Sequence, residues 1–390
     1  MGEILRPRGP VACVVGARPN YMKMAPLFRA FTTRSGLPGT VLVHTGQHYD
    51  VAMNERLFAD LELPPPDINL EVGSGTHAVQ TAEVMRRFEP VLTELRPSCV
   101  VVVGDVNSTL ACSLVAAKQR TPVVHVEAGL RSFDRTMPEE INRLLTDQIA
   151  ERLYITERSA ADNLAREGIP AERVVFVGNV MIDSLTQHRA RAVAPADTLA
   201  REGIAADFGA GPSGFGAVTL HRPSNVDEPE ALSQSLAILR DVAEQVPLIW
   251  PVHPRTRANI ERFGLNSMLS DARVALLPPQ GYLEMLGLLS GARLVLTDSG
   301  GIQEETTALA VPCLTMRENT ERPITVEQGT NTLVGRDRSR IAACVTDIVA
   351  TGGKRGRLPE LWDGRAAERI ADDLAAWLTA RSANSEERVR

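Results

Sequence analysis

The chain has 390 residues, 44% hydrophobic and 23% charged, a soluble globular composition with room for two domains and a core that needs neither disulfides nor a structural metal. A formal net charge of -6 lacks the basic footprint of a nucleic-acid binder. The five cysteines, Cys13, Cys99, Cys112, Cys313 and Cys344, form no C-x-x-C pair, so buried free thiols in a reducing cytoplasm are expected.

The opening MGEILRPRGP carries no apolar stretch of the signal-peptide kind, and no run reaches membrane-span length. Short apolar runs then alternate with amphipathic segments, as in βαβ units. In the first half strands are expected at Val11–Val15, Val41–His44, Cys99–Val103, Pro122–Val126, Arg152–Ile155 and Val174–Phe176. Helices fall between them at Tyr21–Thr33, His77–Leu95 and Ser108–Gln119. The run CVVVV predicts a strand buried on both faces. The rhythm loosens around Val177–Arg201 and then restarts. Strands are expected at Gly216–His221, Pro247–Val252, Arg273–Leu277, Leu294–Leu296, Pro312–Met316 and Asn331–Val334, with helices at Glu228–Glu244 and Gln303–Ala308. A last helix, Gly364–Ala380, precedes a polar tail, Ser382–Arg390, expected to fray. The reading is α/β: two Rossmann-like domains, residues 1–178 and 179–363, with parallel sheets facing across a cleft, and residues 364–390 packing back on the first. Ligands of such sheets bind at the carboxyl ends of the strands.

Several motifs sit at those ends. GARPNYMKMAP (Gly16–Pro26) is a strand-turn-helix offering Arg18, Lys23 and helix-start N–H groups to phosphate. In VVVGDVNST (Val101–Thr109), Asn107 or Ser108 can cap the following helix, which leaves Asp105 for chemistry. Glu127 follows the strand before AGLRS, and Glu139 and Glu140 open a helix, where the macrodipole also favours acids. A carboxylate cluster of this kind suits acid/base work. His221 and Arg222 follow the first strand of the second half. His253 and Arg255 lie in WPVHPRTR, lining the same cleft or a regulatory pocket.

In LTDSGGIQEE (Leu296–Glu305) a strand ends in Asp298-Ser299-Gly300-Gly301 and a helix begins at once. The glycines let phosphate approach backbone N–H groups, and Glu304 or Glu305 can reach a ribose diol. Arg317 and Arg322 lie on a charged loop after the next strand, free either to close on a ligand or to face solvent. Metal-ligand spacing, a nucleophile elbow and a dinucleotide fingerprint are absent, so neither metal nor cofactor is expected.

Taken together and in order, GARPNYMKMAP, HTGQHYD, GDVNSTLA, HVEAGLRS, MPEEINR, HRPSN, PVHPRT, LTDSGGIQEE and TERP resemble the non-hydrolysing UDP-N-acetylglucosamine 2-epimerases, which have the glycosyltransferase-B architecture. The resemblance spans about Val11 to Gly335. It implies catalytic roles for Asp105, Glu127, Glu139 and His221. It implies substrate contacts from Arg18, Lys23, Ser299, Gly300, Gly301, Arg322, the ribose ligand Glu305 and Tyr282 beside uracil. Gln47 and His253 fall where some members bind a second, allosteric substrate molecule. A UDP-sugar partner, no membrane partner, a homodimer and a cytoplasmic setting are also implied.

The implied chemistry expels UDP from C1, leaves a 2-acetamidoglucal, and adds UDP back with C2 protonated on the other face. Asn20-Tyr21 replaces the family's usual Glu-Ala, and HRPSN replaces H-R-R-E-N. Both changes resemble relatives acting on a UDP-2,3-diacetamido sugar acid, whereas Glu321-Arg322-Pro323 favours UDP-N-acetylglucosamine. A hydrolysing epimerase, a glycosyltransferase on the same scaffold and a non-catalytic nucleotide-sugar sensor are the alternatives.

Overall fold

A computed structural model describes residues 9–46, 51–270 and 272–389. The chain divides into two compact units, one running to Ser184 and taking up the chain again from Glu360, the other formed by Leu185–Pro359.

The first unit holds β1 (Val11–Val15), β2 (Thr40–His44), β3 (Ile68–Asn69), β4 (Cys99–Val103), β5 (Val123–Val126), β6 (Arg152–Ile155) and β7 (Val174–Phe176). They form one parallel sheet in the order β3-β2-β1-β4-β5-β6-β7. The second unit holds β8 (Gly216–Thr219), β9 (Leu248–Pro251), β10 (Val274–Leu277), β11 (Leu294–Thr297), β12 (Cys313–Thr315) and β13 (Asn331–Leu333), again parallel, in the order β10-β9-β8-β11-β12-β13. The two sheets share one winding scheme. Each reverses direction beside its first strand, at β1/β4 and at β8/β11, and such switch points leave a crevice beyond the strand ends.

Burial on both faces explains the apolar strands. Every residue of β1 and of β4 is buried. Val14, Val100 and Val102 pack with Phe88 and Leu92 of the His77–Leu95 helix in the first core. Trp250 packs with Leu236 and Leu239 of the Pro229–Gln245 helix in the second. Four of the five cysteines are buried, Cys344 is half-buried, and all are free thiols.

The structure departs from expectation in places. Strand β3 has two residues, too few for a period to show. The helix after β1 begins at Arg18 rather than Tyr21, because the Asn20 side chain accepts from Gly16 and Ala17 N–H (both 3.2 Å) and Pro19 suits a first turn. The final helix runs Ala366–Val389, through the tail expected to fray. Polarity alone does not stop a helix, and this stretch contains neither Gly nor Pro.

That last helix is fastened to the first unit. Asp183 accepts from Ala366 and Ala367 N–H (3.1 and 2.7 Å), occupying its amino end. Asp373 accepts from the Tyr154 hydroxyl at 2.8 Å and pairs with Arg152. The Trp362 indole donates to the Thr156 carbonyl at 3.1 Å.

Candidate active site

At the switch point of the first sheet, β4 is followed by Gly104, whose φ of +65° turns the chain. A Cβ there would stand 3.0 Å from the Lys23 ammonium. The turn delivers Asp105, half-buried, to the buried guanidinium of Arg143. Arg143 also donates to Glu140 at 3.0 and 2.6 Å. Burial pushes the Glu140 carboxyl up, but Ser132 N–H, Arg143 and Phe133 N–H more than offset it and hold it below the usual range. Glu140 is thus committed to its own turn. Its neighbour Glu139 is half-buried, and no hydrogen bond or ion pair engages it among the described residues.

Glu127 follows β5 at φ +70°, a left-handed conformation costing ~1–2 kcal/mol outside glycine. Its N–H and that of Ala128 both donate to the Tyr154 carbonyl (3.1 and 3.0 Å). The carboxylate is buried 2.5 Å from Lys23 Nζ. Arg18 is half-buried at the start of its helix. Two N–H groups of that turn, on Gly16 and Ala17, are taken by Asn20, whose amide also donates to Val103 O at 2.9 Å. The Tyr21 hydroxyl lies 2.6 Å from His44 Nε2. Burial pushes the Tyr21 phenol up to about 12, and Arg18 opposes this only partly.

Beneath these acids lies a buried network not singled out from the sequence. His125 sets Nδ1 2.6 Å from Asp147 and Nε2 2.8 Å from the Gly104 carbonyl. Asp147 also accepts from Gly129 N–H and Arg131 (3.0 and 2.7 Å). Burial pushes the Asp147 carboxyl up, but His125 and Arg131 hold it below the ordinary range. A histidine inside an apolar strand was the available signal, since a buried polar ring requires partners.

In the second unit, β8 leads to His221, whose ring is exposed with Nδ1 3.0 Å from the fully buried Asp298. The His253 ring lies 6.5 Å from it, and His253 Nδ1 accepts from Arg255 N–H at 3.3 Å. Arg255 itself pairs with Asp227. Beyond β11, Ser299 precedes the helix Gly300–Leu309 without giving it a side-chain cap. An N-terminus of this kind suits an anion. A Cβ on Gly300 would stand 2.5 Å from Glu321 and 2.9 Å from Arg322, so packing against these side chains disfavours any larger residue there. Gly301 is half-buried beside it.

Arg322 is buried and taken up by Glu304 (2.9 Å) and Glu321 (2.7 Å). Glu321 also pairs with Arg317 at 2.8 Å. Burial raises the Glu321 carboxyl, but Arg322 and Arg317 hold it far below the usual range. This arrangement separates the two glutamates of the motif. Glu304 serves Arg322, whereas burial and the Glu304 charge push Glu305 up to about 8. Tyr282 is buried, its phenol raised by desolvation and by Glu305, with its ring edge-on to His188 at 5.8 Å. Gln47 lies outside the described residues. Among those described, no cluster of His, Cys, Asp or Glu is placed to hold a metal ion, and no helix is long and apolar enough to cross a membrane.

The family model for UDP-N-acetylglucosamine 2-epimerases matches residues 33–375. The chain belongs to this family. It is therefore an enzyme, of the isomerase class. Within the family it is 40% identical to the UDP-N-acetylglucosamine 2-epimerase of Methanocaldococcus jannaschii, over 92% of this chain and 97% of that one. It is 41% identical to the UDP-2,3-diacetamido-2,3-dideoxy-D-glucuronate 2-epimerase of Pseudomonas aeruginosa, over 94% and 99%. The crystal structure of the M. jannaschii epimerase in complex with UDP-GlcNAc and UDP superposes with a TM-score of 0.82 at 39% identity, over 94% of this chain and 99% of that one. The likeness extends through both sheets, which have the glycosyltransferase-B design of this epimerase family.

Proposed function

We propose that the protein interconverts UDP-N-acetylglucosamine and UDP-N-acetylmannosamine. The observation that carries this reading is the set of acids at the first switch point, Asp105 and Glu127 after adjacent strands and Glu139 at a helix start, in a chain of this family. The C2 hydrogen is not beside a carbonyl, so direct removal is difficult. Breaking the C1–O bond as C2 gives up its proton forms a C1=C2 glycal and UDP. Adding UDP back with the proton delivered to the other face completes epimerisation.

Each group has a task in this scheme. Asp105, Glu127 and Glu139 accept and return the C2 proton. Lys23 holds Glu127 in place. His221, Arg18 and the Ser299–Gly301 helix start receive the charge that grows on the departing diphosphate, the kind of stabilisation that is usually largest in catalysis. Glu305 takes the ribose hydroxyls and Tyr282 packs by the uracil. His253, whose ring lies 6.5 Å from that of His221, belongs to a second, regulatory substrate site, and Arg322 braces the phosphate turn.

The test is incubation with UDP-N-acetylglucosamine in D2O, without metal or NAD, followed by proton NMR. UDP-N-acetylmannosamine with deuterium at C2 in both epimers is the expected result. Free N-acetylmannosamine with UDP would replace this reading with the hydrolysing one. The identity to the Pseudomonas enzyme favours a second reading, a UDP-2,3-diacetamido sugar acid as substrate. Turnover of that compound alone would select it, and inertness toward both would point to glycosyl transfer or sensing.

A further inference from the structure

Asp298 is fully buried, yet its carboxylate is directed at an exposed ring. It accepts from the backbone N–H of His221 (3.1 Å to each oxygen), from Arg222 N–H (2.9 Å) and from the Asn225 amide (3.0 Å), and it lies 3.0 Å from His221 Nδ1. Its own carbonyl accepts from Arg222 Nε at 3.0 Å. Burial pushes the Asp298 carboxyl up, but His221, Asn225 and Arg222 overcome it and hold it below the usual carboxylate range.

An ionised carboxylate has only lone pairs to offer, so the proton between the two groups belongs to His221 Nδ1. Nε2 is then the atom turned away from Asp298. A diphosphate also offers only acceptor oxygens near neutral pH. Contact with it therefore requires a proton on Nε2 as well, and the ring then carries a positive charge.

We propose that Asp298 is a positioning residue for His221: it fixes the Nδ1-protonated ring, presents Nε2 outward, and supplies the countercharge when Nε2–H meets a diphosphate. The inference rests on the role given above to His221. Asp298 is also the residue directly before Ser299, so one side chain ties the histidine turn after β8 to the phosphate turn after β11. A shift of either turn would be felt by the other, which fits two elements that must grip one diphosphate.

The test uses the full-length protein with 15N-histidine and two-bond proton–nitrogen correlation spectra, with UDP as the probe. His221 assigned as Nδ1–H with bare Nε2 in the free protein, becoming protonated at both nitrogens on adding UDP, is the expected result. An Nε2–H ring in the free protein, or a ring that UDP leaves unchanged, overturns the proposal. Asp298→Asn should abolish the UDP-induced protonation and lower kcat by roughly tenfold to a hundredfold with a smaller effect on KM. A folded variant with both readouts unchanged would also overturn it. If that variant does not fold, the wild-type spectra still decide. They do so without turnover, so a protein that fails to epimerise but gives the expected spectra loses the proposed function and keeps this pairing.

Discussion

Lys23 Nζ lies 2.5 Å from the Glu127 carboxylate, and both side chains are almost fully buried. Breaking a buried pair from one side leaves an uncompensated charge, at a cost of ~3–5 kcal/mol. Lys23→Met should therefore lower unfolding stability by that order, measured in urea. Lys23→Met with Glu127→Gln should recover most of it, because neither charge then remains. Glu127→Gln, alone or combined, should lower turnover by roughly a hundredfold or more. Near-native turnover would remove Glu127 from the mechanism.

Arg143 joins Asp105 to Glu140. The two acids should respond differently to loss of charge. Asp105→Asn should abolish most activity, roughly a hundredfold or more, with little loss of stability, since Asp105 is half-buried. Glu140→Gln should instead cost stability, about 1–3 kcal/mol, by leaving Ser132 N–H, Phe133 N–H and Arg143 poorly matched. The reverse pattern, read by steady-state rates and thermal melts, would exchange the roles of these acids.

Glu305 supplies a pH dependence. Its folded value near 8 stands above the ordinary 4.5, so the folded protein holds a proton that the unfolded chain has released. Stability is then complete below about 4.5 and is lost as pH rises toward 8, at up to ~1.4 kcal/mol per pH unit. Asp183, raised by burial to about 6, contributes in the same direction but is spent by then. Melts of the ligand-free protein between pH 6 and 8 should therefore decline in the wild type and decline less in Glu305→Gln. If ribose hydroxyls donate to this carboxylate, UDP affinity should rise over the same interval. An unchanged slope in the variant would show that Glu305 is ionised throughout.

Gly300 packs against Glu321 and Arg322. Both are held from other sides, by Arg317 and Glu304, so they have little freedom to yield. Gly300→Ala should cost about 1–3 kcal/mol of stability and weaken UDP binding in calorimetry. Wild-type affinity would mean that the turn does not hold the nucleotide.

Every strand but β3 was legible, as a short and mostly apolar run. Asp105, Glu127 and His221 could be placed at strand ends for a related reason: they stand within two residues of such runs. What sequence position could not supply was the partner. Glu139 and Glu140 are adjacent acids at one helix start, and only the fold shows Glu140 tied to Ser132 and Phe133. Glu304 and Glu305 are alike in position until Arg322 arrives from a later loop. Asp298 read as part of a glycine turn, although its partners come from a segment more than seventy residues earlier. Gly16–Lys23 looked like a phosphate turn with open N–H groups, and Asn20 claims two of them.

The helix Ala366–Val389 completes the unit in which the chain begins. During synthesis, residues up to Ser184 leave the ribosome without the segment that carries their partners, the buried Trp362 and the half-buried Asp373. Leu185–Pro359, uninterrupted in sequence, has all its strands in hand before that segment emerges. The half of the molecule made first is therefore the half finished last. A chain halted short of its final thirty residues would display the unfilled flank of the first sheet to the cell's chaperones, even with its second sheet already assembled.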